Sequence, residues 1–485
     1  MKKVLVLVLC GLMLVSVLAG CANNEQGEQE STTAATEENY WVSPALTETD
    51  LFKGETYNLL VNSEMDAGSE EASSDPLEDA IYRRNDKLQN IFGVQINTMV
   101  ETDYQEVYNK VSKDVSAGTA DYDTVYQHMV NAATGLAVNG QLVDLSTLNY
   151  VDFDQTWWDQ DAKDGFLIGD NQFLAVGDQL PRTLLVSACM AFNKTQFDNQ
   201  SLDYPYDLAR EGAWTLDELN KLTKDQTKDI NGDGKIEYTS DYFGMTSWHL
   251  DSPFNFFYGA GATFFTKDED NYPVYSVDQD KIQNIYDKVY VTFITNNSLY
   301  ITDVTIHGEA FKVFTSGRAL FTACSLTTIA NAENGFKNMS EEYGVVPQPK
   351  YDAAQADYMS FVNGAASVIV VPKSLGEERL EFVGFMLEAM ASSSYYMVTD
   401  TLYDKVAKSK NMRDQESAEM VDVIIRNRVF DFGYSHFFGK GYPCATLFMN
   451  CLDAKSTSVA SAIKKTKEST MNKEISKILK VYQGE

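Results

Sequence analysis

The segment Thr56-Tyr57-Asn58-Leu59-Leu60-Val61-Asn62 decides the fold class, because it opens an alternation of strand and helix signals. This segment predicts a strand, and residues 79–92 follow with apolar side chains at helical spacing before Gly93-Val94-Gln95-Ile96 begins a second strand. Residues 104–115 repeat the helical pattern, and residues 122–127 predict another strand. Strands that alternate with helices indicate βαβ units and a largely parallel sheet, so we expect an α/β fold.

Further along the chain, residues 184–192 (LLVSACMAF) predict a strand that is buried on both faces. Residues 365–371 predict another strand. A helix is predicted at residues 214–223, where Thr215 and Glu218 form a capping box, and Trp214 in front of it is assigned to packing. Further helices are predicted at residues 377–390, 416–426 and 461–480.

The composition excludes several classes of partner. The 485 residues include 39 Lys and Arg against 70 Asp and Glu, which gives a formal net charge of −31 and a pI near 4.4. Nucleic-acid binding relies on Lys and Arg that neutralise phosphates, so no nucleic-acid partner is expected. Broad contact with an anionic membrane surface is disfavoured for the same reason. The 44% of hydrophobic residues is enough to fill real cores, and a single core rarely exceeds about 250–300 residues, so two or more lobes are expected.

Residues 1–20 are predicted to be a lipoprotein signal peptide. Lys2 and Lys3 precede an apolar stretch at residues 4–18, which is shorter than the roughly 20 residues of a membrane span. Leu18-Ala19-Gly20-Cys21 is similar to a bacterial lipobox, in which Cys21 carries lipid; an ordinary secretory signal is the alternative. Residues 21–39 are polar and predict a flexible tether. We therefore expect a globular body that is lipid-anchored at the extracellular face of a cell membrane.

The cysteines do not predict a zinc site, because Cys189, Cys324, Cys444 and Cys451 lack paired C-x-x-C spacing. In an exported protein, a Cys189–Cys324 or a Cys444–Cys451 disulfide stays open as an alternative. Buried thiols are favoured for a chain with this much apolar core.

The sharpest local motif is the loop Asp229-Ile230-Asn231-Gly232-Asp233-Gly234-Lys235-Ile236-Glu237. Oxygen side chains at positions 1, 3 and 5 and glycine at position 6 match a calcium loop of the EF-hand type. The side chains of Asp229, Asn231, Asp233 and Glu237 and the carbonyl of Lys235 would be ligands. Position 12 is Ser240 instead of Glu, and Asp241 is the expected substitute. A structural Ca²⁺ is predicted, with a turn that carries solvated carboxylates as the alternative.

Several motifs occur in an order that resembles a known family. Residues 212–219 (GAWTLDEL), the loop at 229–235 and Tyr242-Phe243-Gly244 are similar to the family 1 extracellular solute-binding proteins, the carbohydrate-binding lipoproteins of ABC importers in Gram-positive bacteria. Matching segments elsewhere are residues 122–125, 177–178, 191–194, 314–319 and 343–349. The resemblance spans nearly the whole mature chain. It implies a periplasmic-binding-protein-like fold of two α/β lobes with the ligand in the cleft between them.

By this resemblance the chain crosses between the lobes at residues 184–192 and returns at residues 365–371. Lobe I would comprise residues 40–187 and 360–405, and lobe II residues 188–359 and 406–485. Loops at the carboxyl ends of parallel strands face a common crevice, so ligand-binding residues are expected there. The residues that the family pattern assigns to ligand binding are Gln127, His128, Asp178, Trp248, His249, Asp251, Ser325, Tyr434 and His436, with Tyr126 and Phe432 beside them. Core packing is the alternative for each aromatic residue.

Trp157 and Trp158 are further aromatic candidates for the ligand site. Asp159 and Asp161 lie beside them, so the alternative is that the two tryptophans begin a surface helix.

The resemblance and the aromatic loops together predict a binding protein for a sugar or oligosaccharide. Aromatic faces bind the C–H surfaces of sugars and planar polar groups bind hydroxyls. The ligand would pass to ABC permease subunits in the membrane, and the protein is expected to be a monomer. A receptor for a peptide or another non-sugar ligand would use the same fold.

The alternative from another class is a secreted carbohydrate-active enzyme, a glycosidase or a lyase. The 70 acidic residues make pairs of carboxylates unavoidable, so such pairs do not indicate a glycosidase. The sequence contains no G-x-S-x-G, H-E-x-x-H or P-loop motif. No catalytic residue is therefore assigned.

Overall fold

The computed structural model describes residues 41–47, 50–249, 252–331, 334–407, 415–437, 446–464 and 468–484. The predicted signal peptide at 1–20, the tether at 21–39 with Cys21, and the candidate residues Asp251 and Cys444 lie outside this part of the chain. No helix in the described part is long and apolar enough to cross a membrane.

The strands are, in chain order, β1 (Thr56–Val61), β2 (Gln95–Val100), β3 (Thr124–His128), β4 (Ala188–Asn193), β5 (Phe243–Trp248), β6 (Phe265–Lys267), β7 (Pro273–Tyr275), β8 (Leu299–Ile301), β9 (Ala319–Ser325), β10 (Tyr343–Pro347), β11 (Ser360–Phe361), β12 (Ser367–Val370) and β13 (Arg428–Val429). The α-helices are α1 (Glu64–Ala67), α2 (Pro76–Phe92), α3 (Tyr104–Ala117), α4 (Met129–Asn131), α5 (Gln160–Phe166), α6 (Pro181–Leu185), α7 (Lys194–Asn199), α8 (Tyr206–Arg210), α9 (Leu216–Thr223), α10 (Ser252–Gly259), α11 (Gln279–Tyr290), α12 (Gly308–Thr315), α13 (Leu326–Ala330), α14 (Glu377–Met397), α15 (Thr399–Ala407), α16 (Gln415–Arg426), α17 (Phe432–Phe437), α18 (Leu447–Asp453), α19 (Ala460–Ile463) and α20 (Glu468–Tyr482).

The first lobe is built on a four-stranded sheet of order β12-β3-β1-β2. Strand β1 pairs in parallel with β2 and β3, and β12 is antiparallel to β3. Helix α2 connects β1 to β2, and its N-terminus is capped by Asp75, which accepts the N–H groups of Leu77 and Glu78. Gly93 follows the last residue of helix α2 as its C-cap. Its φ of 63° is a left-handed conformation that residues with a side chain disfavour. These local signals produce the βαβ unit that the first segment predicts.

The second lobe is built on a five-stranded sheet of order β10-β4-β9-β5-β8. Strand β5 is parallel to β9 and β8, whereas β4 is antiparallel to both β9 and β10. The prediction of one strand over residues 184–192 is wrong in its first half, because Pro181 begins helix α6 and the strand starts only at Ala188. Proline is well suited to the first turn of a helix, so the apolar run divides into a helix and a strand.

The C-terminal part of the chain covers both sheets. Helix α14 packs on α2, α16 packs on β10, and α17 packs against residues 129–137. The helix predicted at 461–480 is present as α19 and α20, with residues 465–467 between them outside the described part. The fold is therefore α/β with two lobes, while the predicted lobe boundaries stay a prediction.

Candidate ligand-binding cleft

The chain crosses between the two sheets at their carboxyl edges. In the four-stranded sheet, His128 at the end of β3 pairs with Ser367 at the start of β12. In the five-stranded sheet, Ser325 at the end of β9 pairs with Ala188 at the start of β4. Strands β4 and β12 are the first strands after each crossing, so the crossings join the edges at which β3 and β9 end. An α/β protein binds ligands in a crevice of this kind.

The crossing segments are themselves connected. Ser187 forms an antiparallel bridge with Val362, and the N–H of Leu326 donates to the Ser187 carbonyl at 3.1 Å. Strand β11 pairs in parallel with β13, which brings a third passage of the chain to the same place. The two lobes are therefore linked by a narrow set of extended segments.

His128 presents an imidazole nitrogen at the edge of the first lobe. Its ring lies 4.6 Å from the ring of Tyr104, and Nδ1 is buried with no hydrogen-bond partner among the described residues. Burial, and to a smaller extent the charge of Arg182, lowers the pKa of His128 to about 4. The imidazole is therefore neutral near pH 7 and can exchange a hydrogen bond with a neutral ligand.

Gln127 supports the neighbouring His128 through its side chain. Its Nε2 donates to the carbonyl of Tyr104 at 3.3 Å, and its Oε1 accepts the N–H of His128 at 2.7 Å. The amide is buried and both of its polar atoms have partners. Contact between Gln127 and a ligand stays a prediction, and its contacts here position His128.

Trp248 and His249 end strand β5 at the edge of the second lobe. The Trp248 ring is half-buried and lies 6.2 Å from the His249 ring and 4.7 Å from the His307 ring. Nδ1 of His249 is buried and has no partner within the described residues. His307 is the N-cap residue before α12, and it was not among the predicted residues because nothing near it in the sequence links it to β5.

Ser325 and Tyr434 occupy the region of the crossings. The Ser325 hydroxyl caps α13 in a capping box with Thr328. The Tyr434 hydroxyl accepts the N–H of Gly364 at 3.0 Å, and a Cβ on Gly364 would lie 3.1 Å from Cε1 of His128. Tyr434 and His128 therefore both lie close to Gly364, and ligand contacts of Tyr434 and Ser325 stay predictions.

His436 is completely buried in the described core. Its Nδ1 lies 2.9 Å from the Ser435 hydroxyl and its Nε2 lies 3.1 Å from the Tyr482 hydroxyl. Both ring nitrogens are therefore engaged within the protein, so a ligand could bind His436 only by displacing one of these partners.

The comparison with known proteins assigns the family. Residues 86–403 match a family model described as bacterial extracellular solute-binding protein. The chain belongs to this family. No individually curated protein sequence matches the chain.

Solved structures share the fold of this solute-binding protein at low sequence identity. A cyclo/maltodextrin-binding protein in complex with maltotetraose aligns with a TM-score of 0.55 and 13% identity over 90% of this chain and 98% of its own. A substrate-binding protein from Listeria monocytogenes in complex with cycloalternan aligns with a TM-score of 0.54 and 13% identity, over 87% and 99% of the two chains. The GacH receptor of Streptomyces glaucescens, solved in complex with acarbose, aligns with a TM-score of 0.52 and 15% identity over 87% of this chain and 98% of its own. The predicted family resemblance and two-lobed fold are confirmed.

Asp178 lies in a separate cavity of the solute-binding protein, of about 530 Å³. Burial raises the pKa of Asp178 to about 7, and the charge of Arg428 opposes the rise. Arg428 forms an ion pair with Asp159, while its Nε and Nη1 have no partner in the described part of the chain. The cavity is lined by Thr156, Trp158, Asp159, Gln160, Asp161, Val176, Gly177, Asp178, Leu184, Tyr395, Tyr396, Thr399, Asp400, Tyr403, Ile425, Arg426 and Arg428. It therefore does not include His128 or Trp248, and a ligand role for Asp178 stays a prediction.

Trp157 and Trp158 are buried in the core, so the interpretation of a surface helix start is wrong about the surface and right about the helix that begins beside them. Their role in ligand binding stays a prediction. Both are buried, and their indole N–H groups each donate to one carboxylate oxygen of Glu388 at 3.0 Å. Helix α5 starts after them, with Asp159 as its N-cap.

The loop at 229–237 is organised by its own acidic side chains. Asp229 accepts the N–H groups of Gly232 and Gly234, at 2.6 and 2.7 Å, and the two glycines have φ of 77° and 82°. Asp241 is buried and accepts the N–H groups of Ile230 and Glu237, so it connects the two ends of the loop. Among the described residues, no group of three or more His, Cys, Asp or Glu side chains is arranged to hold a metal ion. Calcium binding by Asp229, Asn231, Asp233, Lys235, Glu237 and Asp241 stays a prediction.

Proposed function

We propose that this solute-binding protein binds a sugar or oligosaccharide between its lobes and delivers it to the permease of an ABC importer. The observation that carries the proposal is the pair of carboxyl edges that the crossings join, with the neutral His128 on one and the half-buried Trp248 on the other. The sugars and sugar analogues named for the three similar structures support the same ligand class.

The chemistry of these edges suits a neutral, polyhydroxylated ligand. An indole face packs against the C–H surface of a sugar ring, and an uncharged imidazole can donate to or accept from a hydroxyl. Nδ1 of His128 and Nδ1 of His249 are buried without partners in the described part of the protein. Buried polar groups of this kind gain a hydrogen bond when a ligand supplies the partner.

Binding would act by shifting a population of open and closed forms. The lobes are linked by the few extended segments around Ser187, Val362 and β13. A ligand that contacts both His128 and Trp248 stabilises the form in which the two edges are close. The closed form would then dock on the permease, and a separate subunit would hydrolyse ATP.

The test is a thermal-shift screen with neutral oligosaccharides, followed by calorimetry on the best ligand. Trp248→Ala should weaken binding at least tenfold, which corresponds to about 1.4 kcal/mol. Trp41→Ala is the matched control, because Trp41 packs on Phe92 near the amino ends of the first-lobe strands and should leave affinity unchanged. Equal affinity of wild type and Trp248→Ala would overturn the site.

The same incubations distinguish a receptor from an enzyme. We expect the oligosaccharide to be recovered intact after prolonged incubation with the protein, since a receptor releases its ligand unchanged. Shortened products would support the glycosidase or lyase alternative instead. If only peptides shift the melting temperature, the fold serves a non-sugar ligand.

We propose that Cys21 carries the lipid that anchors the protein to the outer face of the membrane. The support is the sequence Leu18-Ala19-Gly20-Cys21 after the apolar stretch. Cys21→Ser should move the protein from the membrane fraction to the medium. An unchanged distribution would contradict the anchor.

We also propose that the loop at 229–241 binds Ca²⁺. The support is its ligand spacing and the positive φ of Gly232 and Gly234, which lets the backbone turn tightly around an ion. A hard cation would take its oxygens from Asp229, Asn231 and Asp233 and from the carbonyl of Lys235. A melting temperature that does not respond to Ca²⁺ would contradict the proposal.

A further inference from the structure

Cys189 in β4 and Cys324 in β9 are cross-strand neighbours in the five-stranded sheet. The antiparallel register places them directly opposite each other, and both side chains are completely buried. Their Sγ atoms lie 3.7 Å apart. Residues that lie opposite each other in an antiparallel pair project from the same face of the sheet, so the two thiols are in contact.

The backbone is already placed for a bond between these two sulfur atoms. Opposite Cα atoms in an antiparallel pair are separated by about 4.5 Å or about 5.5 Å, depending on the type of pair. Disulfides span Cα separations of about 4.4–6.8 Å, so either type satisfies the requirement. Side-chain rotation alone would bring the sulfurs from 3.7 Å to a bonded distance of about 2.05 Å.

We propose that Cys189 and Cys324 form a disulfide in the exported protein. Extracellular proteins fold under oxidising conditions, in which disulfides form and persist. The two thiols lose two electrons and two protons as the S–S bond forms. A disulfide of a thiol oxidase, or oxidised glutathione in a refolding experiment, accepts them and becomes two thiols.

Because both sulfur atoms are buried in the folded protein, the bond has to form during folding. An oxidant cannot reach Cys189 or Cys324 in the folded protein, because neither side chain is exposed. Oxidation therefore occurs during folding after export, before strands β4 and β9 are covered. Once formed, the bond is protected from soluble reductants by the same burial.

The bond would join β4, the first strand after the crossing, to β9 at the edge of the candidate ligand cleft. Cys324 precedes Ser325, and Cys189 follows Ala188, the first residue of β4 after the crossing. The disulfide would also close the long chain segment between residues 189 and 324, which restricts the unfolded chain strongly in the chain-entropy account. This inference needs only the extracellular family assignment and is independent of which ligand is bound.

The experiment follows the peptides that contain these two cysteines in the whole protein. The protein is expressed with its own signal, denatured in guanidinium with iodoacetamide, digested and analysed by mass spectrometry, with and without prior reduction. We expect Cys189 and Cys324 to be alkylated only after reduction, and a linked peptide pair to be present before it. Alkylation of both without reduction would overturn the proposal, as would a bond from either to Cys444 or Cys451.

Two variants control for the identity of the bond. Cys189→Ser should make Cys324 reactive to iodoacetamide without reduction, because its bonding partner has been removed. Cys451→Ser replaces another buried thiol and should leave the Cys189–Cys324 peptide pair intact. If Cys189→Ser does not fold, the comparison of reduced and unreduced wild type still decides the question.

Discussion

At the scale of single residues, Glu388 connects parts of the chain that are far apart in sequence. Its carboxylate is 1% exposed and accepts the indole N–H groups of Trp157 and Trp158. The sequence shows a pair of aromatic residues but contains no local signal for a partner 230 positions away. Only packing of α14 on the first lobe brings the three side chains together.

Replacing Glu388 by Gln should destabilise the protein. Oε1 of a Gln accepts from one indole, whereas its amide N–H₂ faces the other indole as a second donor, so one buried N–H group is left unpaired. The unfolding free energy should fall by about 1–3 kcal/mol in chemical denaturation. Glu381→Gln on the exposed face of the same helix is the control and should change stability by less than about 0.5 kcal/mol. Equal effects of the two substitutions would contradict this role.

The titration of Glu388 should also affect the pH dependence of stability. Burial raises its pKa from 4.5 to about 7, against the opposing effect of the two indole hydrogen bonds. Between these two values the folded protein binds more protons than the unfolded chain, so stability falls as pH rises through this window. Glu388→Gln removes the titration, so its unfolding free energy should depend less on pH than that of wild type. Parallel profiles would show that Glu388 does not titrate there.

The candidate residues show what sequence reasoning can and cannot predict at this scale. It identified strand ends, and the structure places His128 at the carboxyl end of β3 and Trp248 at the carboxyl end of β5. It could not predict that Gln127 and His436 would bind atoms of the protein itself. Which hydrogen-bond partner a side chain takes depends on residues that the fold brings from elsewhere in the chain.

At the scale of secondary-structure elements, features that depend on residues close together in sequence, such as helix caps, were predicted best. Thr215 caps α9 as predicted, because its hydroxyl accepts the N–H of Glu218 within one turn of chain. The predicted capping box is only half formed, since the Glu218 carboxylate accepts from Lys221. The apolar run at 184–192 was predicted less well, since apolar periodicity alone does not distinguish a buried helix from a buried strand. Pro181 begins α6, and the strand begins three residues after that helix ends.

The loop at 229–241 should depend on Ca²⁺ and on Asp241 in different ways. Addition of Ca²⁺ should raise the melting temperature of wild type, and chelation should lower it, because an ion that binds only the folded state stabilises it. Asp233→Ala should abolish this response by removing a ligand oxygen. Asp241→Ala should lower the melting temperature with or without Ca²⁺, because the N–H groups of Ile230 and Glu237 lose their acceptor. Mg²⁺ is the control ion, and an equal response to both ions would contradict a calcium site.

At the scale of the whole molecule, the net charge indicates which partners are excluded, whereas the strand topology indicates where a ligand would bind. The formal charge of −31 excluded polyanionic partners but did not indicate the ligand. The position of the candidate cleft is inferred from topology, since parallel strands end at the edges that the crossings connect. The alternation of strands and helices made this predictable, whereas the antiparallel pairing of β4 with β9 and β10 was not encoded in any local pattern.

The whole molecule should become more compact when its ligand binds. A sugar that touches His128 on one lobe and Trp248 on the other favours the closed form. The extended segments around Ser187, Val362 and β13 link the lobes and would bend as the lobes close. Small-angle scattering of wild type should show a smaller radius of gyration at saturating oligosaccharide than without it. Trp248→Ala should need at least tenfold more oligosaccharide than wild type to reach the same radius of gyration, and Trp41→Ala should compact as wild type does. Saturated wild type with an unchanged radius of gyration would show that ligand binding does not close the lobes, even where calorimetry confirms the sugar.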